Sequence, residues 1–241
     1  MIYGITAATG RFGQEAYREL LKIVNKDDIV ILARDLDRAA EIFPDAKNIK
    51  KADYNDLQTL QSSFSGIDRL LFISSIPGGA VARIDQHKNV ISAARAAGVS
   101  YIAYTSFPNA QKSSAFLAQD HIKTENLIEE AGLGYSFLRN NWYLENEAAA
   151  IKASAKGADF IYSAADGQVG WALEKYYAQA AARVLSFLDP QKIYEFAGPL
   201  TTYRELAQTV KNISGQNFAI KRSMIKAIET AVFSGIGENN R

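Results

Sequence analysis

The sequence predicts an α/β protein built on a doubly wound parallel sheet. Short apolar runs rich in β-branched and aromatic residues alternate with segments of helical periodicity, as in parallel strands joined by crossover helices. Several runs are apolar nearly throughout, which is typical of strands covered by helices on both sheet faces. Gly98 and Gly132 each follow a helical segment where a C-terminal cap belongs, so they support the same architecture.

The predicted strands and helices follow one another along the chain. The strands are Ile2–Thr6, Ile29–Ala33, Asn48–Lys51, Leu70–Ser74, Tyr101–Thr105, Ser136–Leu138 and Ile193–Phe196. The helices are Phe12–Val24, Leu36–Ile42, Leu57–Phe64, Ile84–Ala97, Ala118–Ala131, Leu144–Ala155, Tyr176–Leu188 and Tyr203–Ile213, with a further helical segment after Ile225. Strands become sparser beyond Ala150. This change predicts a larger domain over residues 1–150 and a smaller, shortened lobe over residues 151–241, interleaved with the sheet.

The composition excludes several classes of function. Lys and Arg number 27 against 26 Asp and Glu, so there is no basic surplus to attract nucleic acid or an anionic membrane. The chain has no cysteine, which excludes disulfides and thiolate chemistry, and its two histidines are too few for a His-rich metal site. No apolar run reaches the roughly 18 residues of a membrane span, and no secretory signal precedes the first strand. We expect a cytoplasmic protein without a metal.

The turn after the first strand predicts a phosphate-binding site. Small residues there lead directly into an amphipathic helix, so that backbone N–H groups and the positive end of the helix dipole converge on one point. Ala7 stands at the first position of the G-x-x-G-x-x-G pattern, and an ordinary strand-to-helix turn is the competing interpretation. Its place at the first strand of an alternating chain favours a dinucleotide site in a Rossmann-like domain. The expected contacts are Thr6, Thr9, Gly10, Arg11, Phe12 and Gly13.

The residue after the second strand predicts the cofactor. A basic side chain there can pair with the 2′-phosphate of NADP(H), whereas an acidic one accepts the ribose hydroxyls of NAD(H). Arg34 therefore favours NADPH, and the adjacent Asp35 keeps NADH open as an alternative. The competing interpretation is a surface arginine that binds no ligand.

The other strand ends carry polar side chains that fit the same ligand, because parallel strands meet it at their carboxyl ends. Asp53 is placed to meet the adenine or to lie beside a helix N-cap, and Ser74 and Ser75 to lie against the nicotinamide-side ribose. Residues after the fifth and sixth strands would flank the nicotinamide and its acceptor. These are Tyr104, Thr105, Asn140, Trp142 and Tyr143.

Routine alcohol–ketone chemistry is not predicted. Short-chain dehydrogenases need a tyrosine and a lysine one helical turn later, which lowers the pKa of the tyrosine so that it can exchange a proton. None of the 12 tyrosines has a lysine four positions on. The same absence counts against a sugar-nucleotide epimerase.

Seven stretches resemble the NmrA-like atypical short-chain dehydrogenases, and among them the type 2 NAD(P)H:quinone oxidoreductases, with triphenylmethane-dye reductases nearby. They are Thr6–Gly13, Leu71–Ser75, Gln86–Ile91, Ala94–Gly98, Ile102–Ser106, Asp120–Glu125 and Leu138–Asn146. The resemblance runs from Met1 to about Gly215. Two departures are Ala7, where the family has glycine, and the chain after Gly215, which diverges in a region that helps to form the family's substrate side.

The resemblance implies an NADPH-dependent reductase of a quinone or a similar conjugated acceptor, and family members are often homodimers. The acceptor would stack near Tyr104, Phe107, Trp142 and Asn146. The amide of Asn141 or Asn146, or the hydroxyl of Tyr104, would stabilise the developing oxyanion. His121 is a candidate proton donor, or else a buried structural histidine, and His87 is expected to be a surface or capping residue. A non-catalytic NADP(H)-binding redox sensor of the NmrA type is the alternative function.

Overall fold

The computed structural model describes residues 1–223, so the helical segment expected after Ile225 lies outside the described residues. The chain divides into two compact units. The first comprises Met1–Asn141 and Leu173–Phe196, and the second comprises, within the described residues, Trp142–Ala172 and residues 197–223. The division falls at Asn141 rather than near residue 150, and one later segment returns to the first unit. Within residues 1–223, no helix has both the length and the apolar character to span a membrane.

The elements follow the predicted order. The strands are β1 (Tyr3–Ile5), β2 (Ile29–Ala33), β3 (Ile49–Lys51), β4 (Arg69–Phe72), β5 (Tyr101–Ser106), β6 (Gly134–Asn140), β7 (Phe160–Tyr162), β8 (Gln168–Val169), β9 (Ile193–Phe196), β10 (Thr201–Thr202) and β11 (Ile220–Arg222). The helices are α1 (Arg11–Leu20), α2 (Leu36–Ile42), α3 (Leu57–Phe64), α4 (Arg83–Ala96), α5 (Phe116–Glu130), α6 (Ala148–Ser154), α7 (Glu174–Ser186) and α8 (Tyr203–Ser214).

The first unit confirms the doubly wound α/β architecture. Its seven strands pair in the order β3-β2-β1-β4-β5-β6-β9, and every pair is parallel. Strands β1, β2, β4 and β5 are buried along their whole length, as their apolar runs predicted. The order of the strands reverses between β1 and β4. In an open α/β sheet this reversal opens a crevice at the carboxyl ends of the strands, where ligands bind.

Glycines in the sequence correctly predicted where α4 and α5 end. Gly98 and Gly132 have φ angles of +77° and +73° after α4 and α5, so they adopt the left-handed conformation of C-terminal glycine caps. The helix expected over Leu144–Ala155 is instead divided into a 3₁₀ turn, Leu144–Glu147, followed by α6. The tighter turn places residues 144–147 off the regular helical path.

The second unit has its own small core. Phe160, Tyr162, Ala207, Val210 and Phe218 form a buried cluster between α8 and the β7–β11 pair. A capping box starts α8, in which the side chains and backbones of Thr202 and Glu205 bond reciprocally.

Candidate functional site

The turn after β1 has the geometry that a diphosphate requires. Ala7 lies in the left-handed region with a φ angle of +47°, and its carbonyl accepts the N–H of Gly10 at 3.1 Å. A Cβ on Gly13 would come within 2.5 Å of Ala8 Cα, so only glycine lets α1 pack this closely against the turn. Gly10 is the N-cap of α1, no side chain caps the helix, and its first turn carries no acid. The turn therefore fits a dinucleotide's phosphates, which the helix N-terminus attracts.

We expect Gly13→Ala to destroy this arrangement. Overpacking of backbone against backbone costs about 1–3 kcal/mol, and the shift of α1 that relieves it would move the N–H groups away from the phosphates. NADPH affinity, measured by fluorescence titration, should fall at least about tenfold. Gly134→Ala is the matched control, because its Cβ would also crowd a backbone oxygen, that of Ser100 at 3.0 Å, but at the start of β6, away from the carboxyl ends of the strands. Equal affinities for the two variants would contradict the role of Gly13.

Two further residues of the turn have protein partners. Arg11, whose side chain is 76% exposed, forms an ion pair at 3.2 Å with Glu174 at the start of α7. The Thr9 carbonyl accepts the side-chain N–H of Gln14 at 2.9 Å. Phe12 is buried beneath the turn. These contacts of Arg11, Phe12 and Gln14 hold the first turn of α1 in place.

The end of β2 separates the two cofactor alternatives. Arg34 is exposed directly after the strand. The carboxylate of Asp35 accepts the backbone N–H of Arg38 at 3.0 Å as the N-cap of α2. One oxygen of this exposed carboxylate caps the helix and the other remains an acceptor, so the Arg34 guanidinium is the group of this strand end that can pair with a phosphate.

Beyond β3, the structure reveals a residue that sequence reasoning missed. The hydroxyl of Tyr54 lies within hydrogen-bond distance of Thr6 Oγ1 and of the carbonyl oxygen of Ile73, at 2.7 Å from the latter. Thr6 Oγ1 donates to the Leu71 carbonyl and accepts the Ile73 N–H, both at 3.0 Å. Tyr54 thereby links the ends of β1 and β4, whereas the neighbouring Asp53 accepts the N–H of Asn55 at 2.9 Å.

The ends of β4 and β5 are joined by hydrogen bonds. The N–H of Ser74 donates to Thr105 Oγ1 at 2.8 Å, and the N–H of Ser75 donates to His87 Nε2 at 3.1 Å. Since Nε2 accepts, the proton of the neutral ring lies on Nδ1, which donates to Thr124 Oγ1 at 2.8 Å. The expectation that His87 is a surface or capping residue is wrong, because the ring has no exposed area. Burial lowers the pKa of His87 to about 2.

Tyr104 and His121 meet in the same buried network. The Tyr104 hydroxyl lies 2.9 Å from His121 Nδ1, and Arg83 donates to His121 Nε2 at 3.1 Å. Arginine can only donate, so Nε2 accepts and Nδ1–H faces the tyrosine oxygen. Burial, with a smaller contribution from the Arg83 charge, lowers the pKa of His121 to about 3. Burial raises the pKa of Tyr104 well above its usual range.

These contacts revise the chemistry expected of the pair. Tyr104 has no exposed surface and His121 is 6% exposed. His121 is neutral near pH 7, which is inconsistent with an imidazolium that protonates the reduced acceptor. Its other sequence interpretation, a buried structural histidine, agrees with the geometry. The hydroxyl of Tyr104 is likewise enclosed by protein partners, so direct contact with an acceptor conflicts with its burial.

A buried ion pair closes the end of β6. Arg139 forms two hydrogen bonds to Glu125, at 2.9 and 2.7 Å, and a third to Glu195 at 3.0 Å. Ser106 Oγ donates to the same Glu125 carboxylate at 2.6 Å. The bidentate pairing raises the pKa of Arg139 above its ordinary value. It ties β5, β6 and β9 to α5, and Asn140 lies buried beside it as the last residue of β6.

The remaining candidates belong to the second unit. Trp142 is 36% exposed, and its Nε1 donates to Glu147 Oε1 at 3.0 Å. Tyr143 is half-buried and forms a parallel bridge with Ala172. Asn146 is exposed, and its backbone N–H donates to the Tyr143 carbonyl at 3.0 Å. Both Trp142 and Asn146 are therefore exposed on this unit.

An uncapped helix after β1, an exposed basic residue after β2 and a strand-order reversal between β1 and β4 define a dinucleotide-binding domain of the Rossmann type. A family model described as NAD(P)H-binding matches residues 7–169. The chain belongs to this NAD(P)H-binding family.

Comparison with individual proteins confirms the predicted resemblance. Quinone oxidoreductase 2 of Escherichia coli K12 is 40% identical over 214 residues, which are 88% of this chain and 74% of that protein. The crystal structure of an E. coli NADPH-dependent quinone oxidoreductase complexed with NADPH matches with a TM-score of 0.89 and 37% identity, over 98% of this chain and 83% of that chain. Triphenylmethane reductase of Citrobacter matches with a TM-score of 0.88 and 32% identity, over 99% and 84% of the two chains.

Proposed function

We propose that this protein is an NADPH-dependent reductase that transfers a hydride to a quinone or a similar conjugated acceptor. The observation that carries the proposal is the pairing of an uncapped, acid-free α1 terminus with a free Arg34 beside an engaged Asp35. The 40% identity to a quinone oxidoreductase supports the acceptor class.

The cofactor would be held along the carboxyl edge of the sheet. The Thr9–Gly13 turn would receive the diphosphate, Arg34 the 2′-phosphate, and the half-buried Ser74 and Ser75 the nicotinamide-side ribose. Asp53 is proposed to face the adenine. When bound, the reduced nicotinamide supplies the hydride. The Thr6–Tyr54 and Ser75–His87 hydrogen bonds hold the ends of β1 and β4 in fixed positions against this ligand.

On the acceptor side we propose Trp142, Tyr143 and Asn146 as contact residues, with Asn140 and Thr105 beside the nicotinamide. Hydride transfer to a quinone needs the two rings held in contact, water excluded and the developing oxyanion stabilised. The exposed Asn146 amide has an N–H group suited to the oxyanion. Tyr104 and His121 are proposed to act beneath the site as positioning residues, and the proton that completes the hydroquinone comes from solvent.

The test is a turnover assay with purified protein, NADPH and a panel of simple quinones, following the absorbance of the reduced cofactor. Turnover with quinones and a lower KM for NADPH than for NADH are expected. Tight NADPH binding with no oxidation by any quinone would overturn the enzyme proposal and favour the redox-sensor alternative. A homodimer and a cytoplasmic location are further proposals from the family resemblance.

A further inference from the structure

Arg83 is a buried cation without a carboxylate partner. It is the first residue of α4, it is 9% exposed, and its Nε has no hydrogen-bond partner. Its one hydrogen-bond contact among the described residues is to the neutral ring of His121. It forms no ion pair within residues 1–223, whereas Arg139, the buried arginine near the end of β6, binds two carboxylates. Arg69 is likewise buried without an ion pair among these residues, but its guanidinium lies 3.9 Å over the Tyr101 ring. A buried charge without a carboxylate partner is costly, and it acts strongly on any charge that develops near it.

The charge lies at the carboxyl edge of β4 and β5. Arg83 contacts His121, and the His121 ring packs 5.8 Å from Tyr104 and 5.9 Å from Phe107, the residue that follows β5. Burial is the main cause of the low pKa values of His87 and His121, and the positive charge of Arg83 contributes to both. The same charge opposes the rise that burial causes in the pKa of Tyr104. The field of Arg83 therefore extends through this end of the sheet, and Asp120 is the carboxylate that acts on it without forming an ion pair.

We propose that the buried guanidinium of Arg83 selects the acceptor by charge, favouring quinones, which become oxyanions on reduction, and disfavouring cationic aromatic acceptors. This inference rests on the proposed reductase function and names the residue that restricts its substrate class. Arg83 does not need to touch the acceptor, because a charge in a site of low dielectric constant acts over several ångströms.

The two acceptor classes change charge in opposite ways. A neutral quinone that takes up a hydride, as the C–H bond to the nicotinamide breaks, becomes the hydroquinone monoanion. A solvent proton then completes the hydroquinone, and the nicotinamide is left as NADP⁺. A cationic triphenylmethane dye that takes up the same hydride becomes neutral. A fixed positive charge therefore stabilises the quinone transition state, which raises kcat, and repels the dye before reaction, which raises its KM.

The experiment compares Arg83→Gln with the unaltered protein, using a neutral naphthoquinone and malachite green as acceptors. We expect Arg83→Gln to lower kcat for the naphthoquinone about tenfold and to lower the KM for the dye by a similar factor. Arg83→Lys keeps the charge and should stay within about threefold of the unaltered protein in both parameters. Arg69→Gln is the matched control, because Arg69 is also buried but lies at the opposite end of β4, 3.9 Å over the Tyr101 ring.

A binding measurement separates failure of this inference from failure of the proposed function. Naphthalene sulfonate, which is anionic and not reducible, is titrated into NADP⁺-saturated protein. Arg83→Gln should weaken its binding several-fold, and Arg83→Lys should restore it. Absence of quinone turnover would overturn the reductase, and the titration would still decide the role of Arg83. Charge selection by Arg83 would be overturned if the protein bound no sulfonate or if Arg83→Gln bound it as tightly as the unaltered protein. It would also be overturned if Arg83→Gln lowered the activity toward the naphthoquinone and toward the dye by the same factor.

Discussion

The free energy of unfolding should fall by about 4 kcal/mol between pH 7 and pH 5. His87 and His121 have folded-state pKa values of about 2 and about 3, against about 6.5 for an unfolded histidine. Between these values the unfolded chain binds two protons that the folded protein does not. Their contribution to stability is therefore fully present above pH 6.5 and is lost as the pH falls through that value toward 3.

Urea unfolding at pH 7, 6 and 5 measures this loss. Hydrogen bonds from Lys22 and Thr59 lower the pKa values of Glu19 and Asp56 below those of ordinary carboxylates, so the loss between pH 7 and pH 5 belongs to the histidines. His87→Gln keeps a side-chain acceptor for the Ser75 N–H but removes one of the two titrating groups. The free energy of unfolding of this variant should therefore fall by only about 2 kcal/mol between pH 7 and pH 5. Equal free energies of unfolding at pH 7 and pH 5 would show that the two rings are not buried as neutral groups.

The backbone of the site was accessible from the sequence because its signals are local. The apolar runs, the turn at Gly10 and Gly13, and the capping glycines at Gly98 and Gly132 each depend on neighbouring residues in the chain. The same is true of Arg34, whose place directly after β2 fixes where its charge lies. The 3₁₀ turn at residues 144–147 was not predicted, because its sequence also fits the periodicity of an α-helix.

The polar network beneath the site could not be predicted from local sequence signals. The partners of His87 are Ser75, 12 residues before it, and Thr124, 37 residues after it, so the burial of its ring depends on the packing of α4 against β4 and α5. One signal was nevertheless present. Arg83, His87, Val90, Ile91 and Ala94 occupy one helical face and are all buried, which is the spacing of a core stripe rather than of a surface.

This buried face of α4 shows why the polar character of His87 led to the wrong prediction that it lies at the surface. A histidine or arginine on an apolar face is buried only when a partner satisfies it, and the sequence does not reveal which distant groups are in reach. His87 and His121 are satisfied in the structure by Thr124, Tyr104 and Arg83. The burial of one polar residue is therefore a property of the whole network.

Arg34→Asp should weaken NADPH binding about 100-fold and leave NADH binding within about threefold. Hydrogen bonds from a guanidinium to a phosphate contribute about 1.5–3 kcal/mol, and the introduced carboxylate adds repulsion of the same phosphate. NADH lacks the 2′-phosphate, so it loses neither term. Asp35 cannot compensate, because a carboxylate repels the 2′-phosphate that the guanidinium would bind.

Dissociation constants for both cofactors, measured by fluorescence titration at two salt concentrations, test this expectation. Arg95→Asp is the matched control, since Arg95 is exposed in the last turn of α4, at the opposite edge of the sheet from the strands' carboxyl ends. It makes the same change in net charge, and it should alter both constants less than about twofold. The difference between Arg34→Asp and the control should shrink at high salt because Arg34 is exposed. A parallel loss of NADPH and NADH affinity in Arg34→Asp would show that the arginine supports the fold of the site rather than reading the phosphate, and would remove the basis for preferring NADPH.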